Sequence, residues 1–364
     1  MILCANPKEQ YLSHKDEIKL AIDKVLESGW YILGQEVKAF EKEFANFVGV
    51  KYSIGVASGT DAIFLSLKAL DIGTGDEVIT VSHTATATVS AIEATGAKAI
   101  FVDVEEEYFT MDVSKIEEVI TDKTKAIIPV HIYGHPCDMN KLQKISKENN
   151  LYLIEDCAQA SGAKYEDKDV GSMGDLGCFS FFPTKNLGAL GDGGAITTNS
   201  KELYEKLLML RQYGWDKNRE SKFQGYNSRL DEIQAAVLRV KLKYLKQDIE
   251  KRNKVASLYY KYLKDTDFIL PKVKDSCYHA YHLFVIKTDN RDKVLKFLEE
   301  NNIMAMIHYD KAVHMNEAYK IYSNLSITEK IINNILSLPL YPELKNEDIK
   351  QISNLCINYK SLKE

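Results

Sequence analysis

Between residues 52 and 200, short apolar runs alternate with stretches whose apolar residues recur at helical spacing. That alternation restricts the fold more than anything else in the chain. Strands are expected over 52–57, 77–81, 98–104, 126–133, 151–155, 177–182 and 194–198. Between the first two, residues 61–70 carry Ala62, Ile63, Leu65, Leu67, Ala69 and Leu70, a helical pattern, and a second helix is expected from the end of the 77–81 strand to about Thr95. Strands that alternate with helices imply an α/β unit with a mostly parallel sheet. In such sheets ligands bind beyond the carboxyl ends of the strands. Residues just past each strand are therefore the first place to look for chemistry.

A long, highly charged helical pattern follows over 228–254, suited to connecting two units. Beyond it the spacing predicts a strand at 277–287, a helix at 291–301, a strand at 302–308 and a last helix at 347–362, with Pro271, Pro339 and Pro342 in this part. The expected division is a large α/β domain over 13–249 and a smaller α+β domain over 250–364, completed by residues 1–12. A chain of 364 residues, 45% hydrophobic, can bury two such cores. A net charge of −5 gives no basic footprint and argues against nucleic acid as a partner. No apolar run reaches the ~18 residues of a membrane span, and no leader peptide is read at the start. The six cysteines are scattered without a C-x-x-C pair. They predict no metal site and fit reduced thiols in the cytoplasm.

Four segments could carry chemistry. In Ser180-Phe-Phe-Pro-Thr-Lys185-Asn-Leu-Gly-Ala-Leu-Gly-Asp-Gly-Gly194, Pro183 ends a strand and Lys185 follows in a short loop. Four glycines then let backbone approach a ligand. A Schiff-base lysine needs such a place, desolvated enough to lose its proton. On these residues alone, a surface lysine in a glycine turn is the readier explanation. The run 151–155 leads into Asp156, with Gln159 about one turn on. An acid there could hold the proton on a pyridine nitrogen, although Asp156 reads equally well as a helix N-cap. Ala57-Ser-Gly59-Thr60-Asp61 lies between strand and helix, where free N–H groups attract phosphate, as in many α/β turns. His83 follows the next strand and could stack on a flat ring or sit neutral near the core. The fourth segment, Gly225-Tyr-Asn227-Ser-Arg-Leu-Asp-Glu-Ile-Gln234, offers Asn227 or Ser228 as a helix cap. Capping does not account for the other polar residues gathered there.

Taken in order, "SGWYILGQEVKAFEKEFANFVGV", "ASGTDAI", "VSHTATAT", "PVHIYGHPCDM", "IEDCAQASGAKY", "SFFPTKNLGALGDGGAI", "RQYG", "GYNSRLDEIQAA", "YHAYHLFVI" and "LSLPLYPEL" span nearly the whole chain. Together they resemble the DegT/DnrJ/EryC1/StrS sugar aminotransferases, a branch of fold-type I pyridoxal-phosphate (PLP) enzymes. The resemblance implies an α/β fold with a mostly parallel seven-stranded sheet plus a smaller α+β domain. It also implies a role for each matching residue. Lys185 would bond the cofactor and Asp156 would pair with its ring nitrogen. Gln159 would reach the ring hydroxyl, Gly59, Thr60 and Ser180 would hold the phosphate, and His83 would stack on the ring. Asn227 would reach the phosphate in the neighbouring subunit, which makes the expected assembly a homodimer with shared active sites. Trp30, Tyr31, His308 and Tyr309 lie where the family handles the sugar. Asp310 follows where the family often has proline.

The expected reaction moves an amino group from glutamate to a nucleotide-linked keto-sugar, with Lys185 carrying the proton. The lysine segment resembles the branch that aminates carbon 3 of dTDP-linked 3-keto-6-deoxyhexoses. Carbon-4 branches more often carry histidine and glutamate where this chain has Asn186 and Asp192. Amination at carbon 4 is one alternative. A sugar dehydratase is opposed by Lys185, because such relatives carry histidine there. A non-catalytic PLP-binding regulator is opposed by the intact Lys185, Asp156 and Gln159.

Overall fold

A computed structural model describes residues 1–319 and 323–361. Two helices, α1 (Pro7–Ser13) and α2 (Lys15–Ser28), precede an exposed loop and α3 (Gln35–Val48). Val37, Phe40, Phe44 and Val48 recur at helical spacing along α3 and are all buried. Gly49 then ends the helix at φ +80°. The chain next enters β1 (Tyr52–Val56), α4 (Gly59–Ala69), β2 (Glu77–Val81), α5 (Thr86–Ala94), β3 (Lys98–Val102), β4 (Thr124–Ile127), α6 (Met139–Glu148) and β5 (Tyr152–Asp156). A small hairpin, β6 (Lys164–Tyr165) and β7 (Lys168–Asp169), leads to β8 (Leu176–Ser180), β9 (Gly194–Thr198) and α7 (Lys201–Leu210).

Seven of these strands form one sheet in the order β1-β9-β8-β5-β4-β2-β3. Every pair from β8 to β3 is parallel; β9 runs antiparallel to both β8 and β1. The expected sheet is thus present, with β9 its one reversed strand. Consequently Val56, Asp156 and Ser180 end at the same sheet edge where Gly194 begins. One apolar cluster packs α4 and α5 on the sheet, and another sets Phe40 and Phe44 against Phe179 and Phe181.

Four expected elements are interrupted. The 126–133 strand stops at Ile127, and Tyr133 turns in the left-handed region at φ 59°. The 228–254 helix is two, α8 (Glu232–Leu242) and α9 (Leu245–Leu263). Tyr244 turns the chain between them and stacks on His14 at 4.0 Å, fixing the junction against the start of α2. The 277–287 strand splits into β10 (Cys277–Tyr278) and β11 (Phe284–Lys287). Its middle is diverted to loop 133–134, where Ala280 N donates to Gly134 O and Leu283 N to Tyr133 O. After α10 (Arg291–Glu300), the 302–308 segment forms only single bridges, Ile303 to Ile2 and Met306 to Ser337. The remaining elements are α11 (Ser326–Ile331), β12 (Ile335–Leu338), paired antiparallel with β11, and α12 (Asn346–Ser361). Residue 362 of the expected last helix lies outside the described residues. A further apolar cluster joins Val255, Tyr259, Phe284, Leu298, Leu336 and Ile352, with Ile2 against it. Among the described residues no helix is long and apolar enough to cross a membrane.

Candidate active site at the carboxyl edge of the sheet

β8 ends at Ser180, and the chain then makes a tight loop. Lys185 N donates to Phe182 O at 2.8 Å and Ala189 N to Phe181 O at 2.7 Å, so the loop closes on itself around Lys185. The lysine is half-buried, and among the described residues its Nζ makes no hydrogen bond or ion pair. Burial pushes its amine down to about 8, against an opposing pull from Asp156.

Asp156 ends β5 and is 4% exposed. Its carboxylate accepts from Thr88 Oγ1 at 2.8 Å and from Ala158 N at 3.1 Å. Among the described residues it has no salt bridge. Burial raises its pKa, as expected for a carboxylate without a cation in contact. Asp156 therefore does not act as an N-cap of a following helix, since residues after it turn without forming one.

The turn after β1 leads into α4. Ser58 caps that helix by accepting from Asp61 N, while the first helical N–H groups have no intrahelical partner. Gly59 opposes Ser180: a Cβ on Gly59 would lie 2.6 Å from Ser180 Cβ. Thr60 sits in the same first turn, half-buried. Ser228 Oγ donates to Asp61 Oδ2 at 2.8 Å and accepts from Ala57 N at 3.1 Å, tying this turn to the Gly225–Gln234 segment.

His83 is buried beyond β2. Its Nε2 meets Tyr133 Oη at 2.7 Å, its Nδ1 has no partner, and burial lowers its pKa to about 4. Tyr133 also donates to His308 O. Gln159 Oε1 accepts from Tyr133 N at 2.7 Å, and its Nε2 donates to Tyr309 Oη at 3.0 Å. His308 Nδ1 lies 2.9 Å from Ser337 Oγ, and burial holds its pKa to about 4, with the Lys185 charge acting the same way. The structure thus brings Lys185, Asp156, Gln159, His83, His308 and Tyr309 into one connected region, with Gly59 and Ser180 facing each other at its rim.

Asn227, Trp30 and Tyr31 are exposed, and none of their hydrogen bonds or ring contacts reaches this region within the chain. The segment that carries Asn227 caps no helix through Ser228. Glu232 instead receives Gly34 N at 2.7 Å and Glu36 N and Val37 N at 2.9 Å, pinning the Trp30–Gly34 loop and the start of α3. Gln234 Oε1 accepts Leu190 N at 2.8 Å, which holds the glycine loop. Thr88 and Tyr133 escaped the reading of the sequence. "VSHTATAT" and "PVHIYGHPCDM" contain them, but nothing in either run says which hydroxyl turns inward. His131, Glu155 and Cys157 come close together, yet Glu155 is occupied by His131 and by the N–H groups of Gly171, Met173 and Gly174.

A mostly parallel seven-stranded sheet, with a lysine and a buried carboxylate that have no ion-pair partner among the described residues and a helix N-terminus along its carboxyl edge, is the architecture of a fold-type I transferase. The chain belongs to the DegT/DnrJ/EryC1/StrS aminotransferase family, whose pattern matches residues 13–356, and it is an aminotransferase. A dTDP-3-amino-3,6-dideoxy-alpha-D-galactopyranose transaminase of Aneurinibacillus thermoaerophilus is 48% identical over 343 residues, 94% of each chain. Among solved structures, S. venezuelae DesV in complex with a ketimine intermediate has a TM-score of 0.96 at 38% identity, covering 98% of both chains. NtdA of Bacillus subtilis with bound cofactor PMP has a TM-score of 0.89 at 32% identity, covering 95% of this chain and 82% of that one.

Proposed function

We propose that this chain is a homodimeric, cytoplasmic PLP-dependent aminotransferase that moves the amino group of glutamate to carbon 3 of a dTDP-3-keto-6-deoxyhexose. The product is a dTDP-3-amino-3,6-dideoxyhexose. The observation that carries the chemistry is the pair Lys185 and Asp156 at one sheet edge, neither of which has an ion-pair partner among the described residues. The substrate class rests on 48% identity to the Aneurinibacillus enzyme across almost the whole chain.

The residues present fit the cofactor. Asp156 is a buried carboxylate in need of a cation, which a protonated pyridine nitrogen supplies. Gly59, Thr60 and Ser180 surround the free N–H groups of α4, where a phosphate is favoured, and the Gly59–Ser180 approach leaves no space for a side chain. His83 offers a neutral ring with an unsatisfied Nδ1, and Gln159 Nε2 retains a second N–H. Bound there, PLP supplies an electron sink for the carbanion at the amino-acid α-carbon.

Lys185 then takes the proton from the α-carbon of glutamate and, in the second half of the cycle, delivers a proton to carbon 3 of the sugar. An ordinary lysine is almost wholly protonated at pH 7; one held to about 8 is free as a base roughly a tenth of the time. Asp156 holds the proton on the ring nitrogen throughout. Tyr309 and His308, linked through Gln159 and Tyr133, line the sugar side. Trp30, Tyr31 and Asn227 are exposed because they serve the partner's site, with Asn227 reaching the partner's cofactor phosphate. Two units, 13–249 and 250–364 with 1–12, fit the way His308 and Tyr309 of the second reach Tyr133 and Gln159 of the first.

The test supplies 3-keto and 4-keto dTDP-6-deoxyhexoses with glutamate and locates the new amine by NMR. Amination at carbon 3 is expected. Amination only at carbon 4 overturns the position, and no amination of either overturns the substrate class.

A further inference from the structure

Lys241 is a buried charge with no task in the chemistry above. It lies on α8 and is 2% exposed. Its ammonium donates to Gly188 O at 2.6 Å and to Gln10 Oε1 at 2.9 Å, and among the described residues it has no salt bridge. Burial pushes its amine down to about 8, while the more distant Glu343 and Asp248 favour its charge. A buried cation held by neutral acceptors costs stability that an apolar side chain of similar length would not. Its two acceptors point to what that cost sustains.

Both belong to elements that meet at Lys185. Gly188 closes the loop that begins at Pro183, and the closure is tight enough that a Cβ on Gly188 would lie 2.4 Å from Pro183 O. Gln10 belongs to α1, and Asn6, Pro7 and Gln10 line a small cavity together with Thr184 and Lys185. Around the lysine the loop has two other anchors. Asn186 Nδ2 donates to Ala280 O at 3.0 Å, and Gln234 receives Leu190 N at 2.8 Å. Lys241 holds the point between those anchors and is the only charged group of the three.

We infer that Lys241 is a positioning residue for Lys185, clamping the back of loop 183–188 to α1 so that the reacting amine keeps one place while its bonds change. The inference rests on Lys185 as the reacting amine. The clamp also makes the N-terminal helix part of the site's geometry. Lys241→Met removes the donor at nearly constant volume and leaves Gly188 O and Gln10 Oε1 unpaired.

Hydrogen–deuterium exchange on the full chain, with and without PLP, tests this. In Lys241→Met the amides of 185–190 should exchange about tenfold faster or more, while those of β8 and β9 change by less than about twofold. Lys241→Arg, which keeps the charge and the donors, should restore most of the protection. Unchanged exchange at 185–190 overturns the inference. So does equal acceleration across the whole sheet, which would mark a purely structural role. Should Lys241→Met fail to fold, Gln10→Leu cuts only the α1 end and should speed exchange in 185–190 by about threefold; no change there overturns the clamp. Borohydride fixation of PLP to a lysine other than Lys185 would sink the reading of the reacting amine, yet leave the exchange result standing.

Discussion

Lys185 should titrate far below the exposed lysines, alongside the buried Lys241, and the cofactor-free protein gives direct access to it. The structure holds its amine to about 8, against 10.5 for an unperturbed lysine, because burial disfavours the ammonium more than Asp156 restores it. At pH 7 the neutral fraction is then about 10%, against about 0.03% for a surface lysine, a ratio near 300. Competitive acetylation across pH 6–11, read peptide by peptide by mass spectrometry, reports the midpoint for each lysine. The midpoint is the quantity to use, because limited access slows the absolute rate at Lys185. Asp156→Asn removes the charge that favours the ammonium and should move the midpoint below 8. The stability consequence has a fixed sign. The folded pKa lies below the unfolded one, so the unfolded chain binds more protons between about pH 8 and 10.5 and stability rises with pH across that window. The penalty is complete below pH 8. Lys185→Met should therefore stabilise the cofactor-free protein at pH 7, with the gain fading as pH approaches 10.5. A Lys185 midpoint near 10.5, or an Asp156→Asn shift upward, would falsify the electrostatic account of the site.

Three other outcomes follow from the geometry. Gly59→Ala places a Cβ 2.6 Å from Ser180 Cβ, so it should weaken PLP binding at least about tenfold, or ~1.4 kcal/mol, by calorimetric titration; unchanged affinity would remove that turn from the phosphate site. Glu232→Ala strips the shared acceptor from Gly34 N, Glu36 N and Val37 N and should cost ~2–4 kcal/mol in urea unfolding, with unpaired N–H groups worth ~1–3 kcal/mol each and water reaching some of them. Lys185→Ala and Asn227→Ala chains should each be inactive alone, yet regain activity on subunit exchange, because a hybrid dimer has one site free of both changes; a fully active monomer in sedimentation refutes the shared site.

The sheet was legible because its signal is local. Each strand of the seven-stranded sheet lies on or beside a short apolar run, and β2 and β9 fall on their expected residues. The reversal of β9 was not legible, since apolar content is the same in either direction and only pairing with β1 and β8 decides it. Where the reading of secondary structure failed, a long-range contact had overridden local pattern. The 228–254 helix looks continuous until Tyr244 is given His14 to stack on, and the 277–287 strand looks continuous until its middle is claimed by loop 133–134. Around the site, Lys185 and Asp156 stand after strands, but that place alone reads as well or better as a surface lysine and a helix N-cap; the motifs around them, taken in order, are what single them out. Tyr133 is not singled out in this way, because its role depends on a left-handed turn that aims its hydroxyl at His83 and His308.

The Gly225–Gln234 segment shows why a cluster of polar residues can resist a one-word explanation. Read as a helix start, it needs one cap, and it has six polar side chains. In the structure four of them have different clients. Ser228 holds the turn before α4, Glu232 holds the exposed Trp30 loop and α3, and Gln234 holds the glycine loop after Lys185. Arg229 lies over the Tyr213 ring, 5.8 Å from its centroid. Asn227 and Asp231 are exposed, and among the described residues neither side chain makes a hydrogen bond or salt bridge. A segment that grips the turn before α4, the lysine loop and an exposed aromatic loop together couples them mechanically. If that exposed face is where a second subunit docks, docking would tighten both sides of the cofactor cradle at once. Dimerisation and cofactor affinity would then be linked, and each should strengthen the other by the same factor. Sedimentation at a series of PLP concentrations measures that factor, and a dimer constant indifferent to PLP would show that the segment holds the loops without transmitting anything between subunits.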